Sequence, residues 1–272
     1  MGFFRMNTRK IIQFFGIKDI KKAKVNRFVK SINKKTPKLF LKNQKIAIVV
    51  PCYGHEQVLE STFNSIINQI EKPDEVIFVV DKSLDNSYNL LKKLEKNSFF
   101  KKVKVIFNKK NVGQAESINI GVKNSKSPLI MVLNDDDFLM KDAISIVKKI
   151  FKRNPTFGLV GFGSILAKSD EEVIRNAKSS DYSKNNSIII KTPLDASKYE
   201  NYNDINMTHS GSTFSRLAWK HINGYFPKKN RIVNFSDRDF QIRVNLFFDI
   251  GISSIPICFY RNYCSVDAGK NS

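Results

Sequence analysis

Between Lys45 and Phe162 the chain alternates apolar runs of strand length with longer stretches of helical spacing, and this rhythm limits the fold more than any other feature. Ile46–Val50, Glu75–Val80, Val103–Phe107, Leu129–Leu133 and Leu159–Phe162 read as strands. Glu56–Ile70 reads as a helix whose inner face is Leu59, Phe63, Ile66 and Ile67, and Ser87–Leu94, Gln114–Val122 and Asp142–Phe151 read as further helices. Strands that are apolar at nearly every position are buried on both faces, which a parallel sheet covered by crossover helices provides. The expected fold is therefore α/β, with a mostly parallel, doubly wound sheet. No G-x-G-x-x-G or G-x-x-x-x-G-K-[ST] follows any of these strands, which counts against dinucleotide oxidoreductases and phosphate-loop enzymes.

At 272 residues and 42% hydrophobic content the chain can bury one large core or two small ones. Its charge is uneven. The formal net charge is +21, and residues 1–45 hold 14 of the Lys and Arg residues against one acid, Asp19. Residues 1–44 are expected to form a basic, amphipathic, helical N-terminal extension, with helical signal over 3–35 and Pro37 ending it. Val25, Phe28, Val29 and Ile32 form its apolar face, and Phe3, Phe4, Phe14 and Phe15 add aromatic anchors. Two roles fit: lying on an anionic membrane surface, or packing on the chain's own domain with solvated lysines. No run approaches the roughly 18 apolar residues of a membrane span. The apolar stretch from Ile11 to Ile17 is broken by Gln13 and Gly16, so no signal-peptide core is expected. Cys52, Cys258 and Cys264 are odd in number and lack C-x-x-C spacing, against a disulfide framework or a zinc site. This cysteine usage fits a reducing compartment, so a cytoplasmic protein is expected. Residues 164–206 are polar, with a surface loop or lid at 179–186, and order is expected to return near His209, followed by a helix over Ser236–Phe248.

Polar residues gather where the predicted strands end. The first strand leads into Pro51-Cys52-Tyr53-Gly54-His55-Glu56 and the second into Asp81-Lys82-Ser83-Leu84-Asp85. Asn111-Val112-Gly113 follows the third strand, with Asn119 beyond it, and Asn134-Asp135-Asp136-Asp137 follows the fourth. His209-Ser210-Gly211 and Ser236-Asp237-Arg238-Asp239 come later. In an open α/β sheet the carboxyl ends of the strands are where ligands bind. Three adjacent carboxylates there are costly unless a cation or solvent satisfies them, although an acidic turn capping the next helix explains them too. His55 and His221 read as structural or surface residues, and His209 as a residue that lines the acceptor side or serves as a structural hydrogen-bonder.

Taken in order, these segments resemble the inverting family 2 glycosyltransferases of the GT-A fold, over about Lys45 to Arg261. The resemblance implies a GT-A domain over 45–265, with a nucleotide-binding half at 45–137, an acceptor half at 138–265 and a tail at 266–272. It implies transfer of a sugar from a nucleoside diphosphate sugar to a hydroxyl of a glycan or lipid-linked glycan, assisted by Mn²⁺ or Mg²⁺. Pro51, Cys52, Tyr53 and Glu56 then belong to the nucleotide loop, and Asp81 is expected to accept a hydrogen bond from the base. Asn111, Gly113, Asn119 and Asp135 complete the donor-binding set. Asp136 is the implied metal ligand, and Asp237 the base that deprotonates the acceptor. Cys52, Gly54, Asn134 and Ser236 depart from the family pattern, and no His follows Tyr260-Arg261 where relatives often carry one. The extension 1–44 would hold such an enzyme at the inner face of a membrane, and no nucleic acid partner is expected. A sugar nucleotidyltransferase, or a decayed transferase fold that binds anionic ligands or surfaces, are the alternatives.

Overall fold

The computed structural model describes residues 22–32, 35–100, 102–169, 171–172, 187–196, 204–205 and 207–261. The aromatic anchors at 3–15, the loop at 179–186, Cys264 and the tail lie outside the described residues. One sheet of nine strands organises the rest. Its strands are β1 (Ile46–Cys52), β2 (Glu75–Val80), β3 (Val103–Phe107), β4 (Leu129–Val132), β5 (Phe138–Leu139), β6 (Leu159–Ala167), β7 (Ile188–Lys191), β8 (Thr213–Ser215) and β9 (Ile250–Arg261). Eight of them run in the order β3-β2-β1-β4-β8-β6-β9-β5, and β7 pairs with β9 off this path.

The first half follows the sequence expectation. β3, β2, β1 and β4 are parallel neighbours, and every residue of β1 and β4 is buried, as strands covered on both faces require. The chain runs outward from β1 to β2 to β3 and then returns to place β4 on the other side of β1. That reversal is a topological switch point, where the connections leaving β1 and β4 diverge and open a crevice. Beyond β4 the pairing is mixed: β8 is antiparallel to β4 and to β6, while β6 and β9 are parallel. β5 follows the acidic turn directly, yet pairs with β9 at the far end of the strand order. Only residues 133–137 join β4 to β5, so the sheet must curl to bring its end back over its middle.

Helices cover the sheet. They are α1 (Lys22–Ser31), α2 (Glu56–Ile67), α3 (Ser87–Asn97), α4 (Gln114–Lys123), α5 (Ala143–Arg153), α6 (Pro193–Ala196), α7 (Arg216–His221) and α8 (Ser236–Asn245). α1 answers the question its composition leaves open. Val25, Phe28, Val29 and Ile32 are all buried, and Phe28 meets Phe226 and Phe247 edge-on. Lys24 donates to the Arg231 carbonyl at 2.9 Å. The apolar face of this helix is covered by the domain itself, so the membrane-surface reading does not apply to residues 22–32. Several elements depart from the sequence reading, among them β5, β8, α6 and α7, which it lacked. β9 is a 12-residue strand that the reading lacked, β7 lies inside the stretch read as irregular, and the last helix ends at Asn245 rather than Phe248.

Candidate active site

The acidic turn sits in the switch-point crevice and is tied on every side. Asp135 accepts a hydrogen bond from the Tyr53 N–H at 2.8 Å and lies 2.9 Å from His55 Nδ1, so it joins the exits of β1 and β4. From below, Thr62 Oγ1 of α2 lies 2.9 Å from both the Asp135 and the Asp137 carbonyl, which share its one hydrogen. The buried Arg261 at the end of β9 donates to the Asp136 carbonyl at 3.0 Å and to Ser61 at 2.6 Å. Ser210 Oγ donates to Asp137 and accepts the Asn134 N–H at 3.0 Å. The turn is thus a pre-set fixture rather than a loose acidic surface.

Its carboxylates sit in unequal settings. Burial, with the charge of Asp136 second, pushes Asp137 up to about 7, and the bonds from Ser210 and Arg261 only partly oppose this. Burial and then Asp135 also raise Asp136, against the opposing pull of His55 and Arg261. His55 Nε2 stands 4.0 Å from Asp136 Oδ2, beyond hydrogen-bond range. One ligand atom each from His55, Asp135 and Asp136 lie within 4.8 Å of one another. Two hard carboxylate oxygens and an imidazole suit a divalent cation such as Mn²⁺ or Mg²⁺. A cation there would also offset the like-charge crowding that raises Asp136.

The side of the crevice beside β2 and β3 is built from clasped loops. Glu56 accepts the Asn86 N–H at 2.9 Å while Asp85 accepts the Glu56 N–H at 3.1 Å, a reciprocal clip between the starts of α2 and α3. Burial raises Asp85, but bonds from Ser83, Ser87 and the Glu56 amide outweigh it and hold the carboxyl below its ordinary value. Asp81 is 3% exposed, and its two oxygens accept from Asn108 Nδ2 at 3.0 Å, Val112 N at 2.9 Å and Gly113 N at 2.7 Å. It therefore clamps the 111–113 loop. Gly113 closes that loop at φ 83°, a left-handed setting that favours glycine, and a Cβ there would meet nothing within 4 Å.

The other residues named from sequence fall as follows. Pro51 and Cys52 lie within β1, and burial pushes the Cys52 thiol well up. Tyr53 is 44% exposed while its backbone N–H bonds Asp135, and Asn111 is exposed. The amide of Asn119, in the middle of α4, bonds the Tyr225 backbone, Trp219 and Glu116. Asp237 is half-buried in the first turn of α8. Its charge is felt by His209 and Tyr225, and Ser210, the residue after His209, bonds the acidic turn. The segment His209-Ser210 thus lies between the acidic turn, which Ser210 bonds, and the charge of Asp237, which reaches His209. Asp239 points the other way and pairs with Arg243 at 2.8 Å, both fully buried, with the guanidinium 3.9 Å from the Phe226 ring centroid.

Sequence reasoning read His55 as structural or surface, named Ser210 only within the segment His209-Ser210-Gly211, and gave Arg261 and Tyr225 no part in this assembly. His55 had one signal, its place at a strand exit beside a switch point. The others hold partners some 73 to 200 positions away in sequence, and no local pattern marks them.

Comparison with known proteins follows the same lines. A family model described as glycosyl transferase family 2 matches residues 47–211. A poly-beta-1,6-N-acetyl-D-glucosamine synthase of Staphylococcus epidermidis is 30% identical over 116 residues, which cover 42% of this chain and 27% of that protein. The synthase of the same name from Staphylococcus aureus strain COL is 28% identical over 130 residues, 48% of this chain and 31% of that one. The match thus spans less than a third of these curated relatives. Among solved structures, S. aureus TarS 1–349 in complex with UDP-GlcNAc superposes with a TM-score of 0.64 at 16% identity, over 84% of this chain and 61% of that one. Mannosyltransferase PcManGT from Pyrobaculum calidifontis, in complex with GDP-Man and Mn²⁺, gives 0.58 at 14% identity, over 93% and 68%. At these identities the likeness establishes the fold, an α/β sheet of the GT-A type.

Proposed function

This chain belongs to glycosyl transferase family 2, and we propose that it transfers a sugar from a nucleoside diphosphate sugar to an acceptor hydroxyl with inversion. One observation carries the reading: the acidic turn stands at the β1/β4 switch point, with His55, Asp135 and Asp136 close enough together to share a cation. The donor lies over the exits of β1, β2 and β4, with Tyr53 against the base and the 111–113 loop against the nucleotide. Asp81 contributes by holding that loop closed. Asp136, with His55 and Asp135 beside it, would hold a divalent cation. When bound, such a cation supplies Lewis-acid stabilisation of the charge on the departing diphosphate.

Asp237 accepts the proton of the acceptor hydroxyl as its oxygen bonds the anomeric carbon. The bond from that carbon to the diphosphate breaks on the opposite face, so a single displacement inverts the centre. Positioned proton transfer of this kind contributes roughly 10²–10⁴ in rate. The buried floor formed by Thr62, Arg261 and Ser210 keeps the acidic turn in place throughout. A uridine diphosphate sugar is the first donor to try, because the TarS neighbour is a UDP-GlcNAc complex. A glycan or lipid-linked glycan is the proposed acceptor, in keeping with the synthases matched in sequence. Attachment to an anionic membrane from the cytoplasmic side rests on the basic residues of 1–45 rather than on the apolar face of α1.

Calorimetry with UDP in the presence and absence of Mn²⁺, together with a transfer assay, tests the assignment. Asp136→Ala should weaken the Mn²⁺-dependent part of UDP binding at least tenfold. Asp237→Asn should leave binding within about twofold and lower transfer by roughly 10²-fold or more. Full transfer by both variants rejects the site.

A further inference from the structure

The backbone fixes His55 where β1 gives way to α2. Gly54, at φ 79°, turns the chain out of β1 and donates its N–H to Ser83 Oγ at 2.9 Å. His55 is the capping residue of α2, and its carbonyl accepts the Val58 N–H at 3.2 Å. Asp135 then holds the ring, with its Oδ1 2.9 Å from Nδ1. The other Asp135 oxygen accepts the Tyr53 N–H at 2.8 Å, so each oxygen of this carboxylate already has a donor. A carboxylate only accepts, so Nδ1 is the protonated nitrogen of the neutral ring and Nε2 keeps its lone pair. Nε2 stands 4.0 Å from Asp136 Oδ2. That gap is too wide for a hydrogen bond. It does suit an ion, since bonds of about 2.1 Å from each atom to one cation span it. Both side chains are buried, so packing sets their spacing. These are the parts of a carboxylate–histidine–metal arrangement, in which the carboxylate fixes the tautomer and the far nitrogen ligates.

We propose that His55 Nε2 is a nitrogen ligand to the cation of the acidic turn, that Asp135 is the positioning residue of His55, and that the site therefore prefers a transition-metal cation such as Mn²⁺ to Mg²⁺. Mg²⁺ is a hard cation that takes oxygen ligands and keeps its waters, so an imidazole in place of an oxygen counts against it. This deepens the reading of the acidic turn as a cation site and rests on it. The three neighbouring acids then divide their work. Asp136 ligates, Asp135 orients His55, and Asp137 is engaged by Ser210.

Pulsed EPR of the full chain with UDP and Mn²⁺ reads the nitrogen directly and needs neither turnover nor a variant. The proposal expects a coupling from a directly bound imidazole nitrogen that changes on ¹⁵N-histidine labelling. The chain contains three histidines, and loss of the coupling in His55→Gln assigns it. Calorimetry with UDP present should show His55→Gln and Asp135→Ala each losing about tenfold or more in Mn²⁺ affinity, against about twofold or less for Mg²⁺. A purely structural role for either residue would weaken both metals alike. Bound Mn²⁺ without a nitrogen coupling, or equal losses for the two metals, overturns the proposal and leaves the cation site standing. If Asp136→Ala binds Mn²⁺ as the parent does, the cation site itself fails, and the role of His55 with it.

Discussion

Replacing Asp81 by Ala separates two roles that the same carboxylate could play. In the structure it accepts three hydrogen bonds, from Asn108 Nδ2, Val112 N and Gly113 N. The Asn108 amide is buried and has no easy substitute, so its loss counts at the full value for a bond to a charged group, about 1.5–3 kcal/mol. The Val112 and Gly113 amides are partly open to water and count at about 0.5 kcal/mol each. The total is about 3 kcal/mol. For a domain of this size about 1 kcal/mol moves the melting midpoint by roughly 2–4 °C, so Asp81→Ala should melt about 6–12 °C lower. Freeing the 111–113 loop removes contacts that do not depend on the base. UDP and GDP should therefore lose affinity by the same factor, measured by calorimetry at a temperature where the variant is folded. An almost unchanged midpoint together with a loss confined to UDP would refute the clamp and return Asp81 to reading the base.

Two further outcomes test the electrostatics around α8. Asp239→Asn strands the fully buried Arg243 without its counter-charge and should cost about 3–5 kcal/mol in urea unfolding, while UDP affinity of the folded variant stays unchanged. Because burial holds His209 below its ordinary 6.5, the folded chain binds fewer protons there than the unfolded chain. The resulting stability is present above about 6.5 and is lost as pH falls, with a slope of at most about 1.4 kcal/mol per pH unit. Urea titrations between pH 7 and 5 should show this slope reduced in His209→Gln, and an identical slope in the two proteins would contradict the assignment.

The first half of the sheet was readable because β1, β2 and β4 are almost uniformly apolar and only a doubly covered strand tolerates that. β9 was hidden for the opposite reason. Gly251, Ser253, Ser254 and Pro256 interrupt its apolar positions, and its pairing with β6 shifts register between Gly161 and Ser164. β8 is three residues long and carries no period of its own. The helical face of α1 was evident from Val25, Phe28, Val29 and Ile32, but spacing alone does not say whether a membrane or Phe226 and Phe247 will cover it. The acidic turn was legible as a strand exit. His55 was not legible as its neighbour, since a lone histidine carries no mark of an aspartate 80 residues on. Asn119 shows the same limit: its position matches a donor-site pattern, yet its amide is taken up by Tyr225 and Trp219.

A crystal of the full chain soaked with UDP and Mn²⁺ and measured at the manganese edge tests the central claim most directly. The account predicts an anomalous peak about 2 Å from an Asp136 oxygen, with the diphosphate beside it and the Asp237 carboxylate across the same cavity. A manganese site away from Asp136, or a nucleotide separated from Asp237 by the sheet, would contradict it.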